Sequence, residues 1–576
     1  MAVNWTREQK QVIEGREKSL LVSAAAGSGK TAVLVERIIQ MITEGENPKD
    51  IDRLLVMTFT RAAAAEMRER IQAAIEKKLE SEPENEHLQQ QAVLVQFAQI
   101  TTIDSFCLHV MREHFDRLDI DPAFRVGDEG EMLLMRADVM DGLLEDYYRD
   151  GGKRYEEFVD AYATGKADGG IAEYVMQVYN FAQSNPWPDA WYEKCREELL
   201  LTEQGELEQT EWMQFLLRDI ALQAQEWEIQ LREAWEICQE TGGPMPYLPM
   251  IEEDLRHAEA VCGAAGSFET ISEALEQFTF SRLAAIRGKN GEVDPEKKAL
   301  VSDCRGRVKK AVEKLKGEYL FASPEQMLTD MEAGKERILE LLELAQEFGR
   351  RFRAKKKEKN VVDFHDLEHF ALEILTEPES ECSEAEETSS AEETDQMQGK
   401  NAWTVRVPGT VADELAVQYD EILVDEYQDS NLVQETLIQC ISGERFDRPN
   451  VFMVGDVKQS IYKFRLARPE LFLEKYSTYT SEESAHQKIE LHQNFRSRDH
   501  ILESINAIFY RIMTEKLGNI SYTEDAALHP GAAFEERDGL DELKTELLLV
   551  DLSVQPQKET ESPELDDEAA DYTARE

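Results

Sequence analysis

Residues 24 to 31 read Ala24-Ala25-Ala26-Gly27-Ser28-Gly29-Lys30-Thr31, directly after the apolar run Ser19-Leu20-Leu21-Val22. A strand that runs into a loop of small residues, and at once into a helix predicted over Ala32 to Ile42, constrains the fold more than any other feature. Small residues let the backbone wrap an anion so that successive N–H groups point at it, and the positive end of the helix faces the same anion. In this pattern the loop cradles a nucleotide triphosphate. Lys30 reaches the β- and γ-phosphates, and the Thr31 hydroxyl holds Mg²⁺. The strict pattern asks for glycine at position 24, where this chain has Ala24.

Around this loop the first ~110 residues alternate apolar strands (Leu20–Val22, Leu54–Phe59) with helical stretches (32–42, 62–80). That alternation predicts an α/β fold with a parallel sheet and crossover helices. From about Glu113 to Lys359 the chain becomes rich in Glu, Leu, Ala and Lys at 3.6-residue apolar spacing. This reads as a helical domain inserted into the nucleotide-binding one, with loops at 242–249 and from Arg287 to Pro295. Strand signals return at Glu421-Ile422-Leu423-Val424 and Asn450-Val451-Phe452-Met453-Val454. The Ser-, Thr- and Glu-dominated segment 376–400 reads as disordered. A last strand-like run, Glu546 to Asp551, precedes an acidic tail. The expected divisions are 1–112, 113–359, 360–490 and 491–576.

Composition narrows the partners. A net charge of −53 argues against loose electrostatic binding to nucleic acid and leaves room only for a local basic channel. The basic stretch Arg350-Arg351-Phe352-Arg353-Ala354-Lys355-Lys356-Lys357 has two readings, a solvated helix face or a nucleic-acid contact. No run of 18 apolar residues exists and the N-terminus carries no apolar signal segment, so no membrane partner is expected. Seven scattered cysteines without a C-x-x-C pair fit a reducing, cytoplasmic setting.

The strand ending at Val424 is followed by Asp425-Glu426-Tyr427-Gln428-Asp429. An Asp at the carboxyl end of a parallel strand suits Mg²⁺, and the adjacent Glu suits the attacking water; alone, such a pair is also an ordinary helix cap. The next strand runs into Gly455-Asp456-Val457-Lys458-Gln459-Ser460-Ile461-Tyr462-Lys463-Phe464-Arg465. There Gln459 can sense the γ-phosphate, and Tyr462 and Phe464 can stack bases of a single strand or else fill a core. Arg496, in Leu491-His492-Gln493-Asn494-Phe495-Arg496-Ser497, can reach over the γ-phosphate from a second domain or form a surface ion pair. Thr60-Arg61 and Thr102 to Ser105 open helices after strands, where they suit a DNA backbone or simply cap the helix. Gln9, in Trp5-Thr6-Arg7-Glu8-Gln9, can read an adenine edge.

Taken in order, these segments resemble the superfamily 1A DNA helicases, the UvrD/Rep group. They match its Q-motif (Gln9) and motifs I (Ala24–Thr31), Ia (Thr58–Met67), Ib (Thr101–Phe106), II (Asp425–Asp429), III (Gly455–Arg465) and IV (Asn494–Ser497). Within the group they look closest to the A subunits of AddAB helicase–nucleases, related to RecB. The residues carrying that likeness are Val454 to Phe472, Val362-Asp363-Phe364-His365-Asp366-Leu367 and the phosphate loop. The resemblance implies a RecA-like P-loop NTPase domain with a large helical insert and the start of a second RecA-like domain. It implies ATP and Mg²⁺ held by residues 24–31, Gln9 and Asp425, and Glu426, Lys30, Gln459 and Arg496 as the hydrolytic set. It implies DNA contacts at Thr60, Arg61, Thr102, Ser105, Tyr462 and Phe464. Relatives of this kind process double-stranded DNA ends with an AddB partner and move along single-stranded DNA. No segment resembles motifs V or VI, a nuclease core or an iron–sulfur cysteine cluster, so the chain is expected to be the N-terminal portion of a longer protein. The alternatives are an ATP-gated DNA-binding or assembly module and, less readily, a small-molecule kinase.

Overall fold

A computed structural model describes residues 4–44, 48–163, 169–203, 208, 210–286, 293–322, 324–378, 406–514, 520–535 and 545–548. Its centre is a six-stranded sheet built from β1 (Ser19–Ala24), β2 (Leu54–Thr58), β3 (Ile100–Thr102), β4 (Glu421–Asp425), β5 (Val451–Gly455) and β6 (His486–Leu491). The spatial order is β6-β1-β5-β4-β2-β3 and every pairing is parallel.

Helices cover both faces, which is why these strands read as unbroken apolar runs rather than alternating ones. Successive side chains enter opposite cores. Leu20, Val22, Leu54, Val56, Leu423 and Phe452 pack with the helices Arg7–Glu14, Lys30–Thr43 and Arg61–Ser81. Leu21, Leu55, Met57, Ile422, Val424 and Met453 pack with Ile103–Glu113, Phe364–Leu375 and Leu432–Ile441. One charged group crosses the first core. Arg37 is buried, pairs with Glu421 at 2.6 Å and lies 5.0 Å from the Phe452 ring centroid.

The helical segment departs and returns through one narrow neck. Arg125–Val126 pairs in parallel with Val361–Val362, with Arg125 N–H donating to the Asn360 carbonyl at 3.2 Å and Gly127 N–H to that of Val362 at 2.9 Å. Beyond the neck lie two helical packs. One gathers Glu129–Asp150, Gly152–Tyr162, Gly169–Gln183 and Pro188–Glu203 around the long helix Pro324–Glu358. The other joins Glu211–Gln239, Leu248–Gly263, Phe268–Gln277 and Pro295–Tyr319.

The basic stretch at the end of Pro324–Glu358 matches neither of its sequence readings in full. Arg350, Arg351, Lys355 and Lys357 pair with Glu347, Asp146, Glu358 and Asp119. Lys356 turns inward, buried between Asp363 at 3.1 Å and Asp366 at 2.6 Å. Those two carboxylates form a capping box at the start of Phe364–Leu375.

Two further expectations need correction or fall outside. In the segment 376–400, Thr376–Pro378 is ordered as a strand antiparallel to Arg406–Pro408, because its backbone finds a partner across the gap; 379–400 lie outside the described residues. In the run 546–551, Glu546–Leu548 take no strand and 549–551 lie outside the described residues. Most of the loop at 287–295 also lies outside them.

Candidate functional site

The phosphate loop begins where β1 ends. Ala24 is the last residue of β1, buried in the sheet core, so an alanine there needs no special backbone. Ala25 and Ala26 pack against Leu502, Ile505 and Leu528 from the segment after β6. Gly27 and Gly29 have φ of +71° and +84°, a region that penalises any Cβ. Gly27 is constrained twice, since a Cβ there would lie 2.6 Å from Asn494 Nδ2. Lys30 opens the helix, half-buried Thr31 follows, and the Ser28 hydroxyl is buried without a hydrogen-bond partner. Unspent donors at a helix N-terminus are the chemistry an oxyanion needs.

Gln9 braces this loop from outside the sheet. Its Nε2 donates to the Ser28 carbonyl at 3.0 Å, and its Oε1 accepts the Thr6 N–H at 3.0 Å in a capping box. Beside it opens a cavity of about 200 Å³ lined by Thr6, Gln9, Ser28, His492, Phe495 and His529, among others. Phe495, His492 and His529 carry no role in the sequence reading. They flank the quoted Gln493–Ser497 segment or follow it, and only the packing brings them beside Gln9.

The acidic loop faces Lys30. Glu426 Oε2 accepts from Lys30 Nζ at 2.8 Å and from Gln428 Nε2 at 2.9 Å. Glu426 sits in the left-handed region at φ +52°, a conformation that costs about 1 kcal/mol or more in a residue with a side chain and tends to mark functional positions. Burial and the neighbouring Glu426 charge push the Asp425 carboxyl up to about 6, and the same two causes push Asp429 to about 6. Asp429 Oδ1 has no partner. Three carboxylates thus share one lysine. Among the described residues no cluster of three metal-ligating side chains forms. A cation at Asp425 and Thr31 would therefore take further oxygens from a phosphate, the usual habit of Mg²⁺.

Arg496 is exposed and rooted on the loop itself. Its Cβ lies 3.0 Å from where a Gly27 Cβ would stand. Asn494 fixes that approach: its Nδ2 donates to the Ala26 carbonyl at 2.6 Å, while its Oδ1 accepts the N–H groups of Arg496 and Ser497, each at 2.8 Å. Phe495 N–H donates to the Gly27 carbonyl at 2.9 Å. Gln459 is not brought to Glu426. Its amide donates to Asp456 Oδ2 at 2.8 Å, and Gln428 stands between.

On another part of the surface, two aromatics expected either to fill a core or to stack bases are outward. Phe464 is 76 % exposed, which removes the core reading. Tyr462 lies 5.8 Å from Phe464 and 4.7 Å from Phe59, ring centre to ring centre. Arg465 lies over both Tyr462 and Phe464, at 5.3 and 5.7 Å. Phe59 went unassigned in the sequence although it precedes Thr60 directly. Thr60 caps its helix by accepting the Ala63 N–H, beside exposed Arg61. Thr102 is only 7 % exposed and bonds the Ser105 hydroxyl at 2.9 Å, so in this conformation its hydroxyl serves the helix end.

Residues 5–480 match the UvrD/REP helicase N-terminal domain. Among curated proteins, the chain is 44 % identical to the A subunit of the ATP-dependent helicase/nuclease of Lachnoclostridium phytofermentans, over 95 % of this chain and 39 % of that protein. It is 42 % identical to the protein of the same name in Clostridium beijerinckii, over 92 % and 41 %. The Bacillus licheniformis protein that shares this name is 40 % identical over 95 % and 42 %. The chain spans about two fifths of the length of these relatives. The match covers the phosphate loop, the acidic loop after β4 and the aromatic loop after β5 together, and the chain belongs to the UvrD/REP helicase family.

Proposed function

We propose that this chain carries the ATP-hydrolysing motor of a DNA helicase, as part of a helicase–nuclease that processes double-stranded DNA ends. The supporting observation is the convergence of Lys30, Asp425 and Glu426 at the ends of β1 and β4, with Arg496 rooted on the same loop. Residues 24–31 bind the triphosphate, and Gln9 and Phe495 border the slot for its base. Glu426 takes a proton from the attacking water as the bond from the terminal phosphorus to the bridging oxygen breaks, releasing ADP and phosphate. Mg²⁺ held by Thr31 and Asp425 supplies charge neutralisation at the phosphate oxygens. Lys30 and Arg496 stabilise the charge that builds up in the transition state.

The ring patch of Phe59, Tyr462 and Phe464 stacks bases of a single strand, while Thr60 and Arg61, with Thr102 and Ser105 at the next helix start, lie along its backbone. Gln459 couples the two sites through Asp456. We assign 1–112 and 360–490 to one RecA-like domain, 113–359 to its insert and 491–576 to the start of a second. The names of the relatives support a partner protein of the AddB kind, and the work is placed in the cytoplasm.

Steady-state ATP hydrolysis with and without single-stranded DNA tests this reading. Turnover is expected to rise with DNA and to fall by roughly 10²-fold or more in Lys30→Ala, the scale of losing one transition-state donor. DNA-stimulated turnover that survives Lys30→Ala would refute it.

A further inference from the structure

The loops after β4 and β5 are joined by a side chain that has so far been given no role. Gln428 is 1 % exposed and its amide is engaged at both ends. Nε2 donates to Glu426 Oε2 at 2.9 Å and to Asp429 Oδ2 at 3.2 Å. Oε1 accepts the Asp456 N–H at 3.0 Å. The Gln428 carbonyl also accepts the Ser460 hydroxyl at 3.4 Å. A Cβ at Gly455 would stand 2.3 Å from Gln428 Oε1. Glycine at the end of β5 is therefore what lets the amide reach the backbone beyond it.

Asp456 carries the link onward. Its carboxylate is held by Lys458 Nζ at 3.0 Å and by the Gln459 amide at 2.8 Å. Three residues further on, Tyr462 begins the ring patch with Phe59 and Phe464. At the other end, Glu426 Oε2 is shared between Gln428 and Lys30. A triphosphate in the loop draws the flexible Lys30 ammonium toward itself, and Gln428 is then the donor left holding Glu426. Because an amide is planar and rigid, its oxygen cannot follow the Asp456 N–H without moving the nitrogen that holds Glu426.

We propose that Gln428 is a positioning residue that ties the orientation of Glu426 to the conformation of residues 456–465, and so ties hydrolysis to what the aromatic loop holds. The proposal rests on the nucleotide and DNA reading above. Gln428 acts through Glu426 and touches no substrate.

The test uses the full chain with Gln428→Ala and Gln428→Glu. The second keeps the volume and the acceptor for Asp456, and sets a carboxylate oxygen against Glu426 in place of the donor. Three readouts are compared with wild type: affinity for a fluorescent non-hydrolysable ATP analogue, the change that analogue causes in hydrogen exchange of residues 456–465, and the ratio of DNA-stimulated to unstimulated turnover. Both variants are expected to bind the analogue within about threefold of wild type while the exchange change at 456–465 disappears. The stimulation ratio is expected to fall roughly tenfold, the scale of one hydrogen bond to a charged group. If Gln428→Ala fails to fold, Gln428→Glu decides. Folded variants that bind the analogue and still transmit the exchange change overturn the proposal. A wild-type chain that binds no analogue overturns the nucleotide reading, and this assignment falls with it.

Discussion

At the residue scale, the candidate site depends on groups held where water would not leave them. Glu368 is the extreme case outside the proposed hydrolytic set. It is fully buried under Asn431 and Gln434, whose side-chain nitrogens lie 3.5 and 2.7 Å from its carboxylate. Burial, with the nearby Asp104 charge, raises its carboxyl to about 7. The folded state therefore holds a proton that the unfolded chain releases near 4.5. Glu368 costs nothing below that pH and destabilises the fold progressively from about pH 4.5 to 7. Glu368→Gln keeps the shape without the charge. The variant is expected to match wild type near pH 4.5 and to exceed it by about 1–3 kcal/mol near pH 8, read by denaturant midpoints at both pH values. An equal difference at the two would refute it. The sequence carried Lys30, Glu426 and Arg496 openly, because each lies in a short contiguous motif. It did not carry the Gly27–Asn494 contact or the Gln428 bridge, because those depend on how close two loops come, and the relevant residues are 467 and 28 positions apart.

At the element scale, the end of the helix Pro324–Glu358 separates burial from charge. Burial alone would raise the Asp363 carboxyl, yet the Lys356 ammonium overrides it and holds it down at about 2. Lys356 also lies 4.4 Å from the centre of the Phe352 ring, and Arg136 adds a second cation 3.5 Å from Asp363. Removing Lys356 strands two buried carboxylates at the start of Phe364–Leu375. Lys356→Ala is expected to cost about 3–5 kcal/mol. Arg350→Ala, six positions earlier and 70 % exposed, is expected to cost under about 0.5 kcal/mol. Chemical denaturation of the two variants measures both, and equal losses would contradict the distinction. A run of like charges in sequence could not separate them. Helical spacing turns Lys356 inward while its neighbours face water, and only the partners Asp363 and Asp366 make that tolerable. The long helices themselves, and the two-faced burial of the strands, were readable from apolar spacing. The split of the insert into two packs was not, because each helix shows the same periodicity whichever neighbour it meets.

At the scale of the whole molecule, a strongly acidic chain presents one compact patch suited to a nucleic acid. It draws Phe59 from the loop after β2 and Tyr462 and Phe464 from the loop after β5, brought together because parallel strands end on the same side of the sheet. Stacking on rings tolerates any base and does not depend on net charge. Phe464→Ala is expected to weaken single-stranded DNA binding by about 1–3 kcal/mol, whatever the sequence of the strand, while leaving affinity for an ATP analogue as in wild type. Titration of two strands of unrelated sequence checks this, and a loss confined to one of them would count against stacking.

The neck at Arg125–Val126 and Val361–Val362 has a consequence for how the chain is assembled. The cost of bringing two chain segments together grows with the length of loose chain between them, and β4 must pair with β2 across the whole helical segment. That segment carries cores of its own. Once it has collapsed onto them, its two ends are neighbours, and to the rest of the polymer it is a short link. A sheet whose partners lie far apart in sequence thereby closes with the loop lengths of a much smaller protein.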